Sequence, residues 1–398
     1  MCLVSVARTG FFPGLVLSLA FSPAHAKAPY VPPADNAAWS RLTPREAGFD
    51  PALLEAAVQF AQANENPRPR DLALTGALER AREPYDAIVG PTQDRGGPAG
   101  LVLQGGRVVT TWGDIDRVDM TFSLTKSFLS TVVGLAVDRK KIPDVQERVA
   151  RVLPKDVTAR YFADDHNGAI TWDHLLRQTS NWRGTLWDKP DWADRPVGDD
   201  PFKWPTLPVD APGASWKYND VRVNLLALAA LHVWREPLPA VLKREVMDPI
   251  GASTSWRWHG YDNSWVEIDG KRVQSVSGGG HWGGGMFINA WDQARYGLLL
   301  LRRGHWGERR LWSEEWHRYA GTPTPQNTQY GVMNWFLNVD PANKELPSAP
   351  ATAVVHLGNG ANAVYVDPEN DLVVVARWLK SDQLDAFIGR VLAARKGN

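Results

Sequence analysis

A serine and a lysine three residues apart form the strongest chemical pattern in the chain. Ser123 and Lys126 lie in Thr121-Phe-Ser-Leu-Thr-Lys-Ser-Phe-Leu-Ser130, whose apolar periodicity predicts a helix from near Ser123 to Lys140. Residues at i and i+3 share one face of a helix, so the two side chains can be hydrogen-bonded. The positive end of the helix would favour negative charge on the seryl oxygen and a neutral, basic lysine. Such a lysine could take the seryl proton and make Ser123 a nucleophile.

The same spacing also fits an ordinary amphipathic helix, because it arises roughly once by chance in a chain of this length. A second stretch adds context. Pro212-Gly-Ala-Ser-Trp-Lys-Tyr-Asn-Asp220 leads into a predicted helix, Val221 to Trp234, of which Asp220 is the expected N-cap. On this loop, Tyr218 could pass a proton between lysine and substrate.

A third stretch lies near the C-terminus. Val354-Val-His-Leu-Gly-Asn-Gly360 ends a β-rich run before two further strand patterns. Its glycines would let a substrate approach the backbone of an edge strand. His281, in a separate glycine-rich run, is interpreted as a loop residue near the cleft rather than as a ligand.

In this order, the three stretches resemble the serine β-lactamases, D-alanyl-D-alanine peptidases and class C-like esterases. Asp173-His-Leu-Leu-Arg-Gln-Thr-Ser180 and Gly283-Gly-Gly-Met-Phe-Ile-Asn-Ala-Trp-Asp292 add to the resemblance, which extends from about Gly100 to the C-terminus. The tryptophan-rich stretches are most similar to the branch containing the 6-aminohexanoate-dimer hydrolases and the family VIII esterases.

The resemblance implies a role for each candidate residue. Ser123 would be the acylated nucleophile, Lys126 its base partner and Tyr218 the tyrosine of the second motif. The backbone N–H groups of Ser123 and Asn359 would form the oxyanion hole. The implied substrate-binding residues are His356, Gly358, Asn359 and Asp220. The implied function is an esterase or amidase, or alternatively a β-lactamase or D-alanyl-D-alanine carboxypeptidase, in each case without cofactor or metal. A non-catalytic peptidoglycan-binding or sensing module is the alternative from another class.

The chain departs from the family pattern at two motifs. The second motif is usually Tyr-x-Asn, whereas here Asp220 follows Tyr218 and Asn219; a literal match at Tyr261-Asp262-Asn263 is not clearly followed by a helix. The third motif is often Lys-Thr-Gly, and His356-Leu357-Gly358 takes its place. Because histidine is mostly neutral near pH 7, a carboxylate-bearing β-lactam would lose a charged contact. Short-chain esters, or amides with an apolar acyl part, are therefore the expected substrates.

The elements that must position these residues are predicted from local signals. Gly100 to Trp112 has the pattern of a β-hairpin around Gly105-Gly106, and a helix is expected from Pro51 to about Asn64 with Asp50 as N-cap. Residues 361–367 and 371–378 read as paired strands, followed by a helix from about 382 to 395. The middle, about 144–303, is predicted to be a mainly helical lobe. The fold class is therefore α/β of the α+β type, with an antiparallel sheet built from N- and C-terminal strands and flanked by helices.

Composition limits the possible partners. Lys plus Arg equals Asp plus Glu at 44 each, so no net charge favours nucleic acid. The resemblance implies a small-molecule ester, an amide or a cell-wall peptide as the partner. The chain has neither a Gly-x-Ser-x-Gly elbow nor a His-Glu-x-x-His pair, and its single cysteine is Cys2. The apolar run Asn224 to Arg235 is too short to span a bilayer and is expected to be core, so no membrane span is predicted in the mature chain. Oligomeric state is left open.

Nineteen tryptophans are present, with clusters at 182–204 and 256–282. They are interpreted mainly as packing for long loops, with an aromatic wall of the substrate cleft as the alternative.

The N-terminal segment predicts export. Residues 1–26 combine one basic residue, an apolar run and the ending Ala24-His25-Ala26, as a secretory signal peptide does. Residues 27–36 would be a Pro- and Ala-rich linker, and 37–398 the hydrolase domain. The mature protein would be periplasmic or secreted.

N-terminal sequencing of the exported protein is expected to begin at Lys27, because signal peptidase cleaves after a small-x-small exit. Active mature protein that retains Met1 would contradict this prediction.

Overall fold

The computed structural model describes residues 29–395. The predicted signal peptide and the first two residues of the predicted linker lie outside this range. Within it, the structure combines antiparallel sheet with helices. Its strands are β1 (Ala99–Gln104), β2 (Arg107–Trp112), β3 (Asp119–Met120), β4 (Thr185–Leu186), β5 (Lys189–Pro190), β6 (Arg257–Ile268), β7 (Lys271–Val276), β8 (Gly285–Ile288), β9 (His305–Trp306), β10 (Arg309–Arg310), β11 (Trp335–Phe336), β12 (Val354–Gly358), β13 (Asn362–Asp367) and β14 (Leu372–Arg377).

The same range contains α-helices, two of which are long and buried. The helices are α1 (Pro51–Ala63), α2 (Leu72–Glu79), α3 (Thr125–Asp138), α4 (Val149–Val152), α5 (Lys155–Tyr161), α6 (Asp165–Gly168), α7 (Trp172–Leu176), α8 (Asp220–Trp234), α9 (Leu238–Leu242), α10 (Ala290–Leu301), α11 (Glu314–Ala320) and α12 (Leu384–Ala393). A π-helical turn, Lys243–Met247, follows α9.

The main sheet is built from strands at both ends of the described chain, in the order β11-β12-β13-β14-β1-β2. Its neighbouring strands are antiparallel, which confirms the predicted fold class. The β1–β2 hairpin turns at Gly105 and Gly106, whose φ angles of 59° and 79° suit glycine. The predicted first helix is also confirmed, because the Asp50 side chain accepts hydrogen bonds from Ala52 and Leu53.

The middle of the chain contains a sheet that the sequence analysis did not predict. Strands in the order β3-β8-β6-β7 form it within the described residues, and β6 and β7 lie in the region expected to be mainly helical. Through β3, Asp119 pairs with Ile288 and Met120 with Phe287. This pairing fixes the chain immediately before Ser123 to the second sheet.

Helices α3 and α8 form the centre of the molecule. Every residue of α3 from Thr125 to Ala136 is buried, and α8 is buried along most of its length. The run predicted to be core is therefore confirmed from Asn224 to Leu231, whereas Arg235 at its end is exposed. In the described residues no single helix is long and apolar enough to cross a membrane; only the bent pair formed by Asp220–Trp234 and Leu238–Met247 passes that test by length and composition.

Candidate active site

Ser123 lies on a tight turn between the two sheets. A 3₁₀ helix, Phe122–Leu124, precedes α3, so the serine is one turn ahead of the α-helix rather than inside it. Phe122 has a φ of 49°, a left-handed conformation that costs energy for a bulky residue. Thr121 holds the turn in place, because its N–H and its hydroxyl both donate to Met286 O at 2.9 Å.

The structure brings Ser123, Lys126 and Asp220 together. Lys126 Nζ donates to Ser123 Oγ at 2.9 Å and to Asp220 Oδ1 at 2.6 Å. Lys126 and Asp220 are each only 1% exposed. An ammonium and a carboxylate so fully removed from water stabilise each other only when they are in direct contact.

The sequence analysis expected a neutral Lys126, whereas the structure favours the charged ammonium. Burial opposes the charged form of Lys126, but attraction to Asp220 and the hydrogen bond between them outweigh it and raise its pKa above the ordinary value of a lysine. For Asp220, burial likewise favours the neutral form, but Lys126 and Arg195 together hold its pKa well below the usual range. At neutral pH the pair is therefore an ammonium and a carboxylate, because the attraction between the two charges is stronger than the effect of the helix end invoked from sequence.

The sequence analysis expected Asp220 to be the N-cap of α8, and this prediction is wrong. The cap is Asn219, whose side chain accepts from Arg222 N at 3.0 Å. Asp220 is the first helical residue, and its carboxylate is free to turn toward α3. The cap lies one residue earlier because the Asn219 amide also donates to Asp191 O, at 2.7 Å.

A charged network that the sequence analysis missed supports Asp220 from the other side. Arg195 Nη1 donates to Asp220 Oδ2 at 2.9 Å and to Asp194 Oδ1 at 2.5 Å. Since arginine only donates, its 3.2 Å contact makes His281 Nδ1 an acceptor, and His281 Nε2 then donates to Glu83 at 2.8 Å. Arg195 lies in a loop without a local sequence signal for this role.

Three members of this network, Glu83, Asp194 and His281, offer ligand atoms within 4.8 Å of one another, the spacing of a possible cation site. The Arg195 guanidinium already supplies positive charge there, through hydrogen bonds to two of them. The arrangement is therefore explained by its own hydrogen bonds.

Gly279 makes room for the buried pair. A β-carbon on this residue would lie 1.8 Å from Asp220 Oδ1 and 2.2 Å from Lys126 Nζ, so no larger residue fits without moving the charges. The loop is held by Gly278 N, which donates to Asn224 of α8 at 2.9 Å, and by Gly280 N, which donates to Ser277 Oγ at 3.0 Å.

Tyr218 approaches Lys126 through its ring. The ammonium lies 4.6 Å from the ring centroid, and the Arg195 guanidinium carbon lies 5.0 Å away. Trp335 stacks on the tyrosine, with 5.9 Å between centroids. By contrast, Tyr261 is 1% exposed on β6, where Ser277 and Asn224 donate to its hydroxyl and burial raises its pKa.

The candidate residues of the third predicted stretch, Val354 to Gly360, lie in two different places. Gly358 packs directly on the serine turn, because a β-carbon there would be 1.8 Å from Thr121 O. Asn359 lies beside the same cleft as Ser123 and donates to Glu79. His356 instead points away from that cleft: it is buried beside Ser127 Oγ, 2.7 Å from its Nδ1, and burial lowers its pKa to about 4.

The cleft at Ser123 has a volume of about 380 Å³ and is strongly polar. Its described lining residues are Arg68, Glu79, Arg80, Glu83, Phe122, Ser123, Arg195, Asp220, Gly279, His281 and Asn359. None of the described tryptophans is among them. In the two clusters Trp182, Trp204, Trp256, Trp258 and Trp282 are buried, Trp187 and Trp192 are half-buried, and Trp265 is exposed. Because none of them lines the cleft at Ser123, the packing interpretation is favoured over a tryptophan wall of that cleft.

The combination of antiparallel sheets and helices matches the β-lactamase/transpeptidase fold. The beta-lactamase family model matches residues 79–386, and the chain therefore belongs to the beta-lactamase family. No curated protein sequence matches the chain significantly.

Solved structures share this fold at low sequence identity. EstCE1, a hydrolase with promiscuous acyltransferase activity, has a TM-score of 0.57 and 15% identity, over 87% of this chain and 99% of its own. A putative β-lactamase from Bacteroides dorei has a TM-score of 0.55 and 15% identity, over 80% and 97%. A putative 6-aminohexanoate-dimer hydrolase from Bacillus anthracis has a TM-score of 0.51 and 14% identity, over 86% and 93%.

Gly279→Ala is expected to lower the rate of the enzyme by at least about a hundredfold, since the methyl group would separate Lys126 from Asp220. The matched control is Gly97→Ala, whose added carbon would meet only Arg70, at 3.5 Å. The test measures the hydrolysis rate of both variants and verifies by circular dichroism that each variant is folded. Wild-type activity in folded Gly279→Ala would show that the close contact at Gly279 is not needed.

Proposed function

We propose that this protein is a serine hydrolase that forms an acyl-enzyme on Ser123 and acts on esters or amides. The observation that carries the proposal is the 2.9 Å contact between Lys126 Nζ and Ser123 Oγ, inside a cleft that is open to a substrate. Membership in the beta-lactamase family and the hydrolases among the structural neighbours support the general class.

The proposed proton path begins at the charged pair. As Ser123 Oγ attacks the carbonyl carbon, its proton passes to Lys126 while Lys126 passes one of its own to Asp220 Oδ1, which lies 2.6 Å away. Tyr218, beside Lys126, protonates the leaving group and is then reprotonated through Lys126 from Asp220. The net result is that one proton moves from Ser123 to the leaving group. A water molecule then attacks the acyl-enzyme and loses its proton along the same path, which releases the acyl group.

The proposed oxyanion hole consists of the backbone N–H groups of Ser123 and Asn359. Two features support it: Gly358 lets β12 pass directly against the serine turn, and Asn359 borders the cleft. Donors held by a strand and a helical turn need no rearrangement as charge develops on the carbonyl oxygen.

The third motif offers no cation to a β-lactam carboxylate, which favours uncharged acyl groups. His356 is neutral and faces away from Ser123, and Arg68 at the cleft is paired with Glu79. Of the other cleft arginines, Arg195 is paired with Asp194 and Asp220, whereas Arg80 has no ion pair among the described residues. An apolar acyl part that extends beyond the cleft lining could pack on the partly exposed aromatic group of Tyr218, Trp216 and Trp335.

Two alternatives remain proposals of lower rank. A β-lactamase or D-alanyl-D-alanine carboxypeptidase would be consistent with the family. A non-catalytic peptidoglycan-binding module would not need the costly burial of Lys126 and Asp220 beside a serine. Export to the periplasm or medium is proposed from the N-terminal segment alone.

A fluorophosphonate is expected to label the protein at Ser123, and Ser123→Ala is expected to abolish both labelling and turnover. Lys126→Ala and Tyr218→Phe should each reduce the rate by at least about a hundredfold, the size of a general acid–base contribution. Peptide mass spectrometry locates the adduct, and Tyr261→Phe is the comparison for Tyr218→Phe. Substantial turnover by Ser123→Ala would refute the assignment.

Hydrolysis of p-nitrophenyl butyrate is expected to exceed that of a chromogenic cephalosporin in kcat/KM on one preparation. The missing charged contact should cost the cephalosporin roughly ten- to a hundredfold. A preference for the cephalosporin of about tenfold or more would instead restore β-lactamase as the main activity.

A further inference from the structure

A second cavity of about 370 Å³ lies behind helix α3. It is enclosed by α3, α10, α11, the segment 332–336 and strands β12 and β13. Neither Ser123 nor Lys126 is among its described lining residues. The site proposed for hydrolysis and this cavity are therefore separate spaces on two sides of one helix.

The walls of the cavity are largely aromatic and apolar. Trp312, Trp316 and Phe336 line it and are buried, together with aliphatic residues of α10 and β12. Aromatic walls of this kind suit a flat ring, whose burial releases water from two faces and allows edge-to-face contacts.

One polar atom in the lining is left without a protein partner among the described residues. Ser127 Oγ donates to Met333 O at 3.2 Å, so His356 Nδ1 must donate to Ser127 and His356 Nε2 is left as an acceptor. This nitrogen would accept a hydrogen bond, so it selects a ligand that donates one.

The cavity carries no unpaired charge among its described lining residues. Burial lowers the pKa of His356 to about 4 and also lowers that of His317, so both are neutral near pH 7. Arg303, exposed at the mouth, is paired with Glu314 of α11. A charged ligand would lose its hydration without gaining a partner.

We propose that this cavity is a second small-molecule site, specific for an uncharged aromatic compound with one hydrogen-bond donor, such as a phenolic hydroxyl. The donor binds His356 Nε2, and the ring lies among Trp312, Trp316 and Phe336. The site does not depend on whether Ser123 is acylated.

The test uses 4-fluorophenol as the probe and 4-fluoroanisole, which lacks the donor, as its matched control. Fluorine NMR titration of the wild-type protein is expected to show millimolar or tighter binding of 4-fluorophenol. The phenol should bind roughly fivefold tighter than the anisole, the usual effect of one hydrogen bond. No binding of 4-fluorophenol, or equal affinities for the two probes, would overturn the proposal.

Two variants locate the bound probe. Ala320→Trp, which fills the cavity from α11, is expected to abolish binding, whereas Ala342→Trp on an exposed loop should leave it unchanged. His356→Phe, which keeps a ring but removes the acceptor, should weaken the phenol severalfold and leave the anisole unaffected. If both Ala320→Trp and His356→Phe bind the phenol as wild type does, the probe lies elsewhere and the proposal is wrong. If Ala320→Trp does not fold, His356→Phe alone decides.

Discussion

The ion pair between Lys126 and Asp220 is the interaction on which the geometry of the cleft depends. Two opposite charges almost without exposure to water are stable only in contact, so α3 and α8 must meet at one exact separation. The absence of a side chain at Gly279 leaves the space that the pair occupies, and Arg195 satisfies the second carboxylate oxygen. Moving any of these groups would leave a buried charge without its partner.

This constraint changes the chemistry inferred from the spacing of Ser123 and Lys126. A carboxylate replaces the amide usual in the second motif of the family, and it keeps the neighbouring lysine charged. In the proposed mechanism Asp220 therefore holds a proton temporarily, and Lys126 transmits it in both directions before the leaving group is protonated through Tyr218. The serine turn itself is held by β3 and β8, so the second sheet and the ion pair together position the nucleophile.

Local signals predicted the parts of the structure that depend on neighbouring residues. The Gly105-Gly106 hairpin, the Asp50 cap and the apolar run of α8 were all found from sequence, because turns, caps and helices are determined within a few residues. The second sheet, the contact at Gly279 and the role of Arg195 arise from residues distant in the chain. The cap of α8 was wrong by one residue for a related reason: Asn219 is held by Asp191, and Asp220 by Lys126.

The pKa of the Lys126 amine tests this account most directly. It can be measured by NMR of lysine-labelled protein, with Lys126→Arg to assign the signal. We expect the amine to remain an ammonium to above about pH 9 in the wild-type protein, and Asp220→Asn to lower its pKa by at least about one unit, because the attracting charge is lost while the burial remains. A wild-type Lys126 that loses its proton below about pH 7 would contradict the account and restore a neutral lysine as the base.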